Sequence, residues 1–173
     1  MKLIALAILT TVCLGALASP GQPTWNTFRS EEGRFTVTMP GRPDGSRKTV
    51  KGDAASVKLH VFMASTESES FVVTYADYER FDDNRADVDR ILDAARDGAV
   101  TNARGSLISE KKIMIGDNPG RSILFTNGTG KHIHENILLV NNRLYQIYVV
   151  SNAGGAESAD ARRFLKSFRL IRK

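Results

Sequence analysis

The stretch HIHENILLVNNRLYQIYVVS, residues 132–151, carries the strongest fold signal in this chain. It contains two strongly apolar segments, residues 133–140 and 144–150, joined by Asn141 and Asn142. Asparagine tolerates a positive φ, so this pair predicts a tight β-hairpin. Apolar side chains occupy both faces of each segment, which is typical of strands buried on both sides. The sequence therefore places this hairpin at the centre of a β-sheet.

Further strands are predicted upstream of the central hairpin. Each combines β-branched or aromatic residues with alternating polarity, and each is bounded by turn residues. Turns are predicted at residues 117–120, which read Asp-Asn-Pro-Gly, and at residues 127–130, which read Asn-Gly-Thr-Gly. The predicted strands cover residues 34–39, 57–64, 70–78, 107–115 and 121–126.

Two segments change to the helical period and predict amphipathic helices. The first follows N-cap candidates at residues 82–84, and Gly98 either ends it or costs about 1 kcal/mol inside it. The second begins at Ser158 or Asp160. The apolar stripes are Val88, Ile91, Leu92, Ala95 and Ala99 in the first helix, and Ala161, Phe164, Leu165 and Phe168 in the second. An antiparallel sheet with helices packed on it is an α+β domain.

The N-terminus reads as an export signal, residues 1–18. One positive charge precedes an apolar run of about 15 residues, which is shorter than the ~20 residues that a membrane-spanning helix needs. Ala16 and Ala18 are the small residues that signal peptidase requires. Cleavage predicts a secreted or periplasmic protein with an extended leader at residues 19–27 and one domain at residues 28–173. An uncleaved membrane anchor is the alternative.

The composition restricts the chemistry of the mature chain. The only cysteine, Cys13, lies in the signal, so disulfides and thiol chemistry are not expected. Of the 24 basic residues only Lys2 is removed with the signal, which leaves 155 residues and a net charge of +4. We expect solvated charged faces, no nucleic-acid partner and no transmembrane helix after cleavage. Peripheral contact with an anionic surface, through the basic last helix, is the alternative.

Three stretches together resemble a PsbP-like family of exported bacterial proteins of unknown function. They are residues 25–43, residues 117–121, and residues 142–148 followed by 163–170. The resemblance implies an antiparallel sheet between helices, an α/β/α sandwich. Relatives include photosystem-associated extrinsic proteins, a Ran-binding nuclear import factor and bacterial envelope proteins, which share binding or assembly rather than catalysis. The matched residues are structural, so the resemblance supplies no site residue.

Motifs for catalysis or for cofactors are not found in the sequence. The Gly-Thr-Gly-Lys at residues 128–131 fits neither the phosphate-loop nor the dinucleotide pattern, because Phe125, His132 and Ile133 stand where those patterns need other residues. His132 and His134 lie two apart on a predicted strand and share a face. With a third ligand, such as His60 or a carboxylate, they form a candidate transition-metal site.

The sequence thus predicts a non-catalytic protein without a cofactor. The expected role is an exported binding or assembly-assisting module of the cell envelope, with a protein or envelope-polymer partner. One alternative is a metal-binding protein that uses His132 and His134. A further alternative is an uncharacterised hydrolase built from scattered polar residues.

Overall fold

The computed structural model of the chain describes residues 23–51, 56–78 and 85–171. The predicted signal, the first part of the leader and the N-cap candidates at residues 82–84 lie outside these ranges. The elements, in chain order, are β1 (Trp25–Ser30), β2 (Phe35–Pro40), β3 (Asp44–Lys51), β4 (Ser56–Ser65), β5 (Glu69–Asp77), α1 (Arg85–Asn102), β6 (Ser106–Ile115), β7 (Asn118–Thr126), β8 (His132–Val140), β9 (Arg143–Ser151), a 3-10 turn (Gly155–Glu157), α2 (Ala159–Ser167) and β10 (Arg169–Leu170).

Seven strands form one large antiparallel sheet in the order β3-β4-β5-β9-β8-β7-β6. Strand β9 is its middle member, and β8 lies beside it, as the apolar runs of the hairpin predict. Tyr145 of β9 lies opposite Leu138 of β8 and Tyr75 of β5, which fixes the register. Asn141 at the hairpin turn has φ of 51°, the positive value that asparagine accommodates.

A smaller sheet, β1-β2-β10, packs on one face of the large sheet together with α2. Strand β1 begins at Trp25, so residues 25–27 of the predicted leader belong to a strand paired with β2. The Trp25 ring contacts Phe71 of the large sheet edge to face, with centroids 5.2 Å apart. The core on this face is rich in aromatic rings: Phe35, Phe71, Tyr75, Tyr145, Phe164 and Phe168.

Helix α1 covers the other face of the large sheet above β7 and β8. Its predicted apolar stripe faces a second core, in which Leu92, Ile123 and Ile137 are fully buried. Of the two starts that the sequence offers for helix α2, the structure selects Ser158. The Ser158 hydroxyl caps it by accepting a hydrogen bond of 2.9 Å from the Ala161 amide. Neither helix within the described ranges has the length and apolar character needed to cross a bilayer.

Two predicted turns differ in detail, and the structure decides one helix end that the sequence left open. The turn before β7 lies at Gly116 and Asp117, where Gly116 has φ of 60°, so Pro119 and Gly120 belong to the strand instead. Gly120 is needed there because a Cβ would lie 2.4 Å from the Ile137 carbonyl oxygen. Helix α1 continues through Gly98. In the turn at residues 127–130, the positive φ falls on Gly130 rather than on the Asn-Gly pair.

Candidate binding surface on strand β6

Strand β6 forms one edge of the large sheet, so one side of its backbone has no neighbouring strand among the described residues. It also exposes large apolar side chains: Leu107 is 44% exposed, Ile108 52% and Met114 63%. The opposite edge strand, β3, exposes only polar side chains and glycine along residues 44–49. The two edges therefore differ in chemistry: β6 exposes apolar side chains that a partner could cover, whereas residues 44–49 of β3 do not.

The middle of β6 is charged and its start is irregular. A bulge between Leu107 and Ser109 interrupts the pairing with β7. Glu110, Lys111 and Lys112 follow it. Bulges and lysines on an edge strand oppose unspecific sheet-to-sheet aggregation. A partner of β6 therefore has to match an apolar–charged–apolar order along the strand.

A cleft of about 420 Å³ adjoins the C-terminal half of β6, between the start of α1 and the β6–β7 hairpin. Val88, Met114 and Pro119 supply apolar wall, and Arg121 and Asp89 supply polar lining. This volume lies within the range of ordinary ligand pockets. The cleft offers space for an apolar side chain beside the exposed Met114.

The charged groups beside this cleft are paired with one another. The Arg121 side chain is only 2% exposed and donates hydrogen bonds to Asp89 at 2.7 Å and to Asp93 at 3.0 Å. Its Nε also lies 3.1 Å from the Glu110 carboxylate. The hydrogen bond from Arg121 lowers the pKa of Asp89, with Lys112 adding to the effect. This network ties α1 to β6 and β7 and holds the cleft in shape.

The predicted metal ligands His132 and His134 lie on one face of β8. The two ring nitrogens of His134 already have partners, the Ser122 hydroxyl at 3.1 Å and the Ala156 carbonyl oxygen at 3.3 Å. His60 lies on β4, three strand positions or about 14 Å across the sheet. No group of three or more His, Cys, Asp or Glu side chains suited to a metal ion occurs in the described part of the chain. The structure therefore brings the pair together but not the third candidate.

His60 instead belongs to a stacked cluster that the sequence does not reveal. Its ring stacks on Tyr75 with centroids 4.4 Å apart, and the Arg143 guanidinium lies 4.5 Å above the same tyrosine ring. Arg143 also binds Asp77 through two hydrogen bonds of 2.6 and 2.7 Å, and it donates to the Glu32 carbonyl oxygen at 2.8 Å. Burial raises the pKa of Tyr75 to about 12. The cluster fastens the β1–β2 turn to the large sheet.

The exposed apolar side chains of β6 were also missed from the sequence. The strand itself is predicted, at residues 107–115, but its position at the edge is not. The adjacent Glu110, Lys111 and Lys112 are the available signal, because consecutive charges place charged side chains on both faces of a strand, and a strand at the centre of the sheet has both faces buried.

No family model matches the sequence, and no curated protein matches it either. Among solved structures the chain is similar to the solution structure of cyanobacterial PsbP (CyanoP) from Synechocystis sp. PCC 6803. The identity is 13%, the match covers 91% of this chain and 98% of that one, and the TM-score is 0.54. The chain therefore has a PsbP-like α+β fold, as its sequence predicts.

Proposed function

We propose that this chain is an exported, non-catalytic binding module of the cell envelope that holds a partner protein on strand β6. The observation that carries the proposal is the exposure of Leu107, Ile108 and Met114 on an edge strand beside an apolar cleft. Edge strands bind extended segments through backbone hydrogen bonds, while side-chain pockets give specificity.

The occupant that fits is an extended segment of the partner with a defined order of side chains. Apolar residues belong opposite the two ends of β6, one of them seated near Met114 in the cleft. An acidic residue belongs opposite Lys111, which has no ion-pair partner among the described residues, whereas Lys112 lies 3.2 Å from Asp89. This pattern complements β6 in both polarity and charge.

The test places a photoreactive residue at position 108 of the full chain in its native host. A photoreactive residue at Thr49, on the opposite edge strand, is the matched control. We expect one dominant adduct from position 108 that Met114→Asp reduces at least fivefold. Equal labelling from both edges, no adduct, or an adduct that survives Met114→Asp contradicts the proposal.

A second arm identifies the binding mode. The crosslinked segment of the partner, made as a synthetic peptide, should slow amide hydrogen exchange along β6. The same peptide with a central proline should not, because proline lacks the N–H needed for the strand ladder. Protection by both peptides alike would exclude strand addition.

Export is tested separately by the mass of the protein recovered from its host. Cleavage after Ala18 predicts a mature chain that begins at Ser19. A protein recovered in the cytosol with residues 1–18 still attached would overturn the envelope location, although it would leave binding at β6 intact.

A further inference from the structure

A second cleft of about 420 Å³ lies where strands β5 and β9 meet the start of α2. Five of the residues around it carry side-chain oxygen atoms: Glu69, Ser151, Asn152, Ser158 and Asp160. Glu69 and Ser151 lie directly opposite each other in the β5–β9 register. Strand β9 is three strand positions, or about 14 Å, from β6, so what this cleft binds is independent of the surface described above.

The Glu69 carboxylate is buried and has no cation beside it among the described residues. The residue is 7% exposed, and its Oε1 accepts a hydrogen bond of 2.7 Å from the Ser158 hydroxyl. Within residues 23–51, 56–78 and 85–171, no Lys, Arg or His nitrogen lies within 4.0 Å of it. Buried carboxylates are normally compensated by an opposite charge or by several donors.

Ser151 supplies a second, independent observation. The residue is 2% exposed and lines the cleft, and its hydroxyl oxygen has no hydrogen-bond partner in the described part of the chain. Gly155 packs closely against it, since a Cβ there would lie 3.0 Å from this oxygen and 3.9 Å from the Glu69 Oε1. An unpartnered hydroxyl next to a carboxylate without a cation places two oxygen atoms that can accept hydrogen bonds side by side.

We propose that this cleft binds a primary ammonium group. An ammonium carries one positive charge and three N–H donors and has no acceptor. It would donate to the Glu69 carboxylate and to the Ser151 hydroxyl, and Asp160 on the α2 side of the cleft adds a second negative charge. A charge-assisted hydrogen bond of this kind is about twice as strong as a neutral one.

Other ligand classes fit less well. An anion would meet two carboxylates, and the α2 amide of Ala161 is already taken by the Ser158 hydroxyl. Calcium requires six to eight oxygen ligands, and the described residues hold no cluster of three acidic side chains here. The ammonium class includes amino sugars and lysine side chains, and the cleft volume admits either.

The experiment titrates the full chain with two probe pairs and follows amide chemical shifts. Glucosamine is compared with N-acetylglucosamine, and Nα-acetyl-lysine amide with its Nε-acetylated form. We expect binding of at least one free amine at the β5–β9–α2 cleft, and binding at least tenfold weaker after acetylation. Which pair responds identifies the source of the ammonium.

Variants then assign the site. Glu69→Gln keeps the acceptor for Ser158 and should weaken amine binding at least tenfold, while Ser151→Ala should weaken it severalfold. Glu67→Gln, an exposed change two residues away, is the matched control and should bind as the unaltered chain does. Thermal melts of all three variants report whether the fold is retained.

Three outcomes overturn the proposal. They are no binding of either amine, equal binding of the acetylated probes, and unchanged binding by a folded Glu69→Gln chain. Calcium that binds with Glu69-dependent shifts and displaces the amine would reassign the cleft to a hard cation.

Discussion

Two buried ionisable residues, Arg121 and Glu135, have opposite surroundings. Arg121 is enclosed by three carboxylates, whereas the Glu135 carboxylate, 2% exposed, accepts a hydrogen bond of 2.7 Å from the neutral Gln146 amide. Burial raises the pKa of Glu135 to about 7, and the hydrogen bond from Gln146 offsets part of that rise. The three carboxylates keep Arg121 charged in the core, whereas burial among neutral groups favours the protonated form of Glu135.

Glu135 makes the stability of the protein depend on pH. An unfolded glutamate titrates near 4.5, so between about pH 4.5 and 7 the folded state holds a proton that the unfolded state has lost. The free energy of unfolding therefore falls as pH rises through this window, by about 3 kcal/mol for a shift of this size. Below the window the contribution is fully present, and above it the loss is complete.

Glu135→Gln should remove this slope, since an amide does not titrate. Urea unfolding between pH 4 and 8 measures it, with Glu67→Gln as the exposed control that should retain the slope. A Glu135→Gln chain as pH-dependent as the control would show that Glu135 does not titrate in this window.

Helix α1 shows how one element combines a local pattern with long-range constraints. Its apolar stripe follows from the sequence, but Gly98 inside the helix and Gly105 after it have opposite surroundings. A Cβ at Gly98 would meet no neighbouring atom within 4 Å in the described part of the chain. A Cβ at Gly105, in contrast, would lie 1.7 Å from the Thr126 carbonyl oxygen. The helix end is therefore fixed by its approach to β7.

Alanine at these two positions should have opposite effects on stability. Gly98→Ala should raise the free energy of unfolding by about 0.5–1 kcal/mol, because alanine loses less backbone entropy in a helix. Gly105→Ala should lower it by about 2 kcal/mol or more, because β7 has to move. Denaturant unfolding of both variants measures the contrast, and equal effects would contradict the packing of Gly105 against Thr126.

Across the molecule as a whole, the fold decides which distant side chains meet. It keeps His132 and His134 on one face, separates them from His60, and supplies Ser122 and Ala156 as partners for the His134 ring. A metal ion at this pair would have to displace one of those hydrogen bonds. Metal binding at His132 and His134 stays a prediction, and the two hydrogen bonds of the His134 ring would compete with it.

Zinc or copper titration of the mature chain tests whether His132 and His134 bind a metal ion. If the pair binds metal, His134→Ala should weaken binding about tenfold or more, and His60→Ala should not. Ser122→Ala should strengthen binding, since it frees a ring nitrogen of His134. Equal binding by the double variant His132→Ala/His134→Ala ends the hypothesis.

The features of this protein that depend on local periodicity could be predicted from its amino acids. The extents and central position of β8 and β9 follow from their continuous apolar runs, and both helical stripes follow from a period of 3.6. The sequence offers Ser158 or Asp160 as the start of α2, and the structure places the cap at Ser158. The resemblance to the PsbP-like family pointed to the same architecture, and the tertiary structure confirms it.

The strand order, and with it the candidate sites, emerged only from the folded chain. In the sequence Leu107 and Met114 resemble other strand residues, because the sequence does not show that β6 lies at the sheet edge. Glu69 and Ser151 are 82 positions apart in the chain and become neighbours only because β5 pairs with β9. Apart from the β8–β9 hairpin, which its turn residues predict, strand pairing could not be predicted, because non-local packing and hydrogen bonding set it and leave no periodic trace in a single strand.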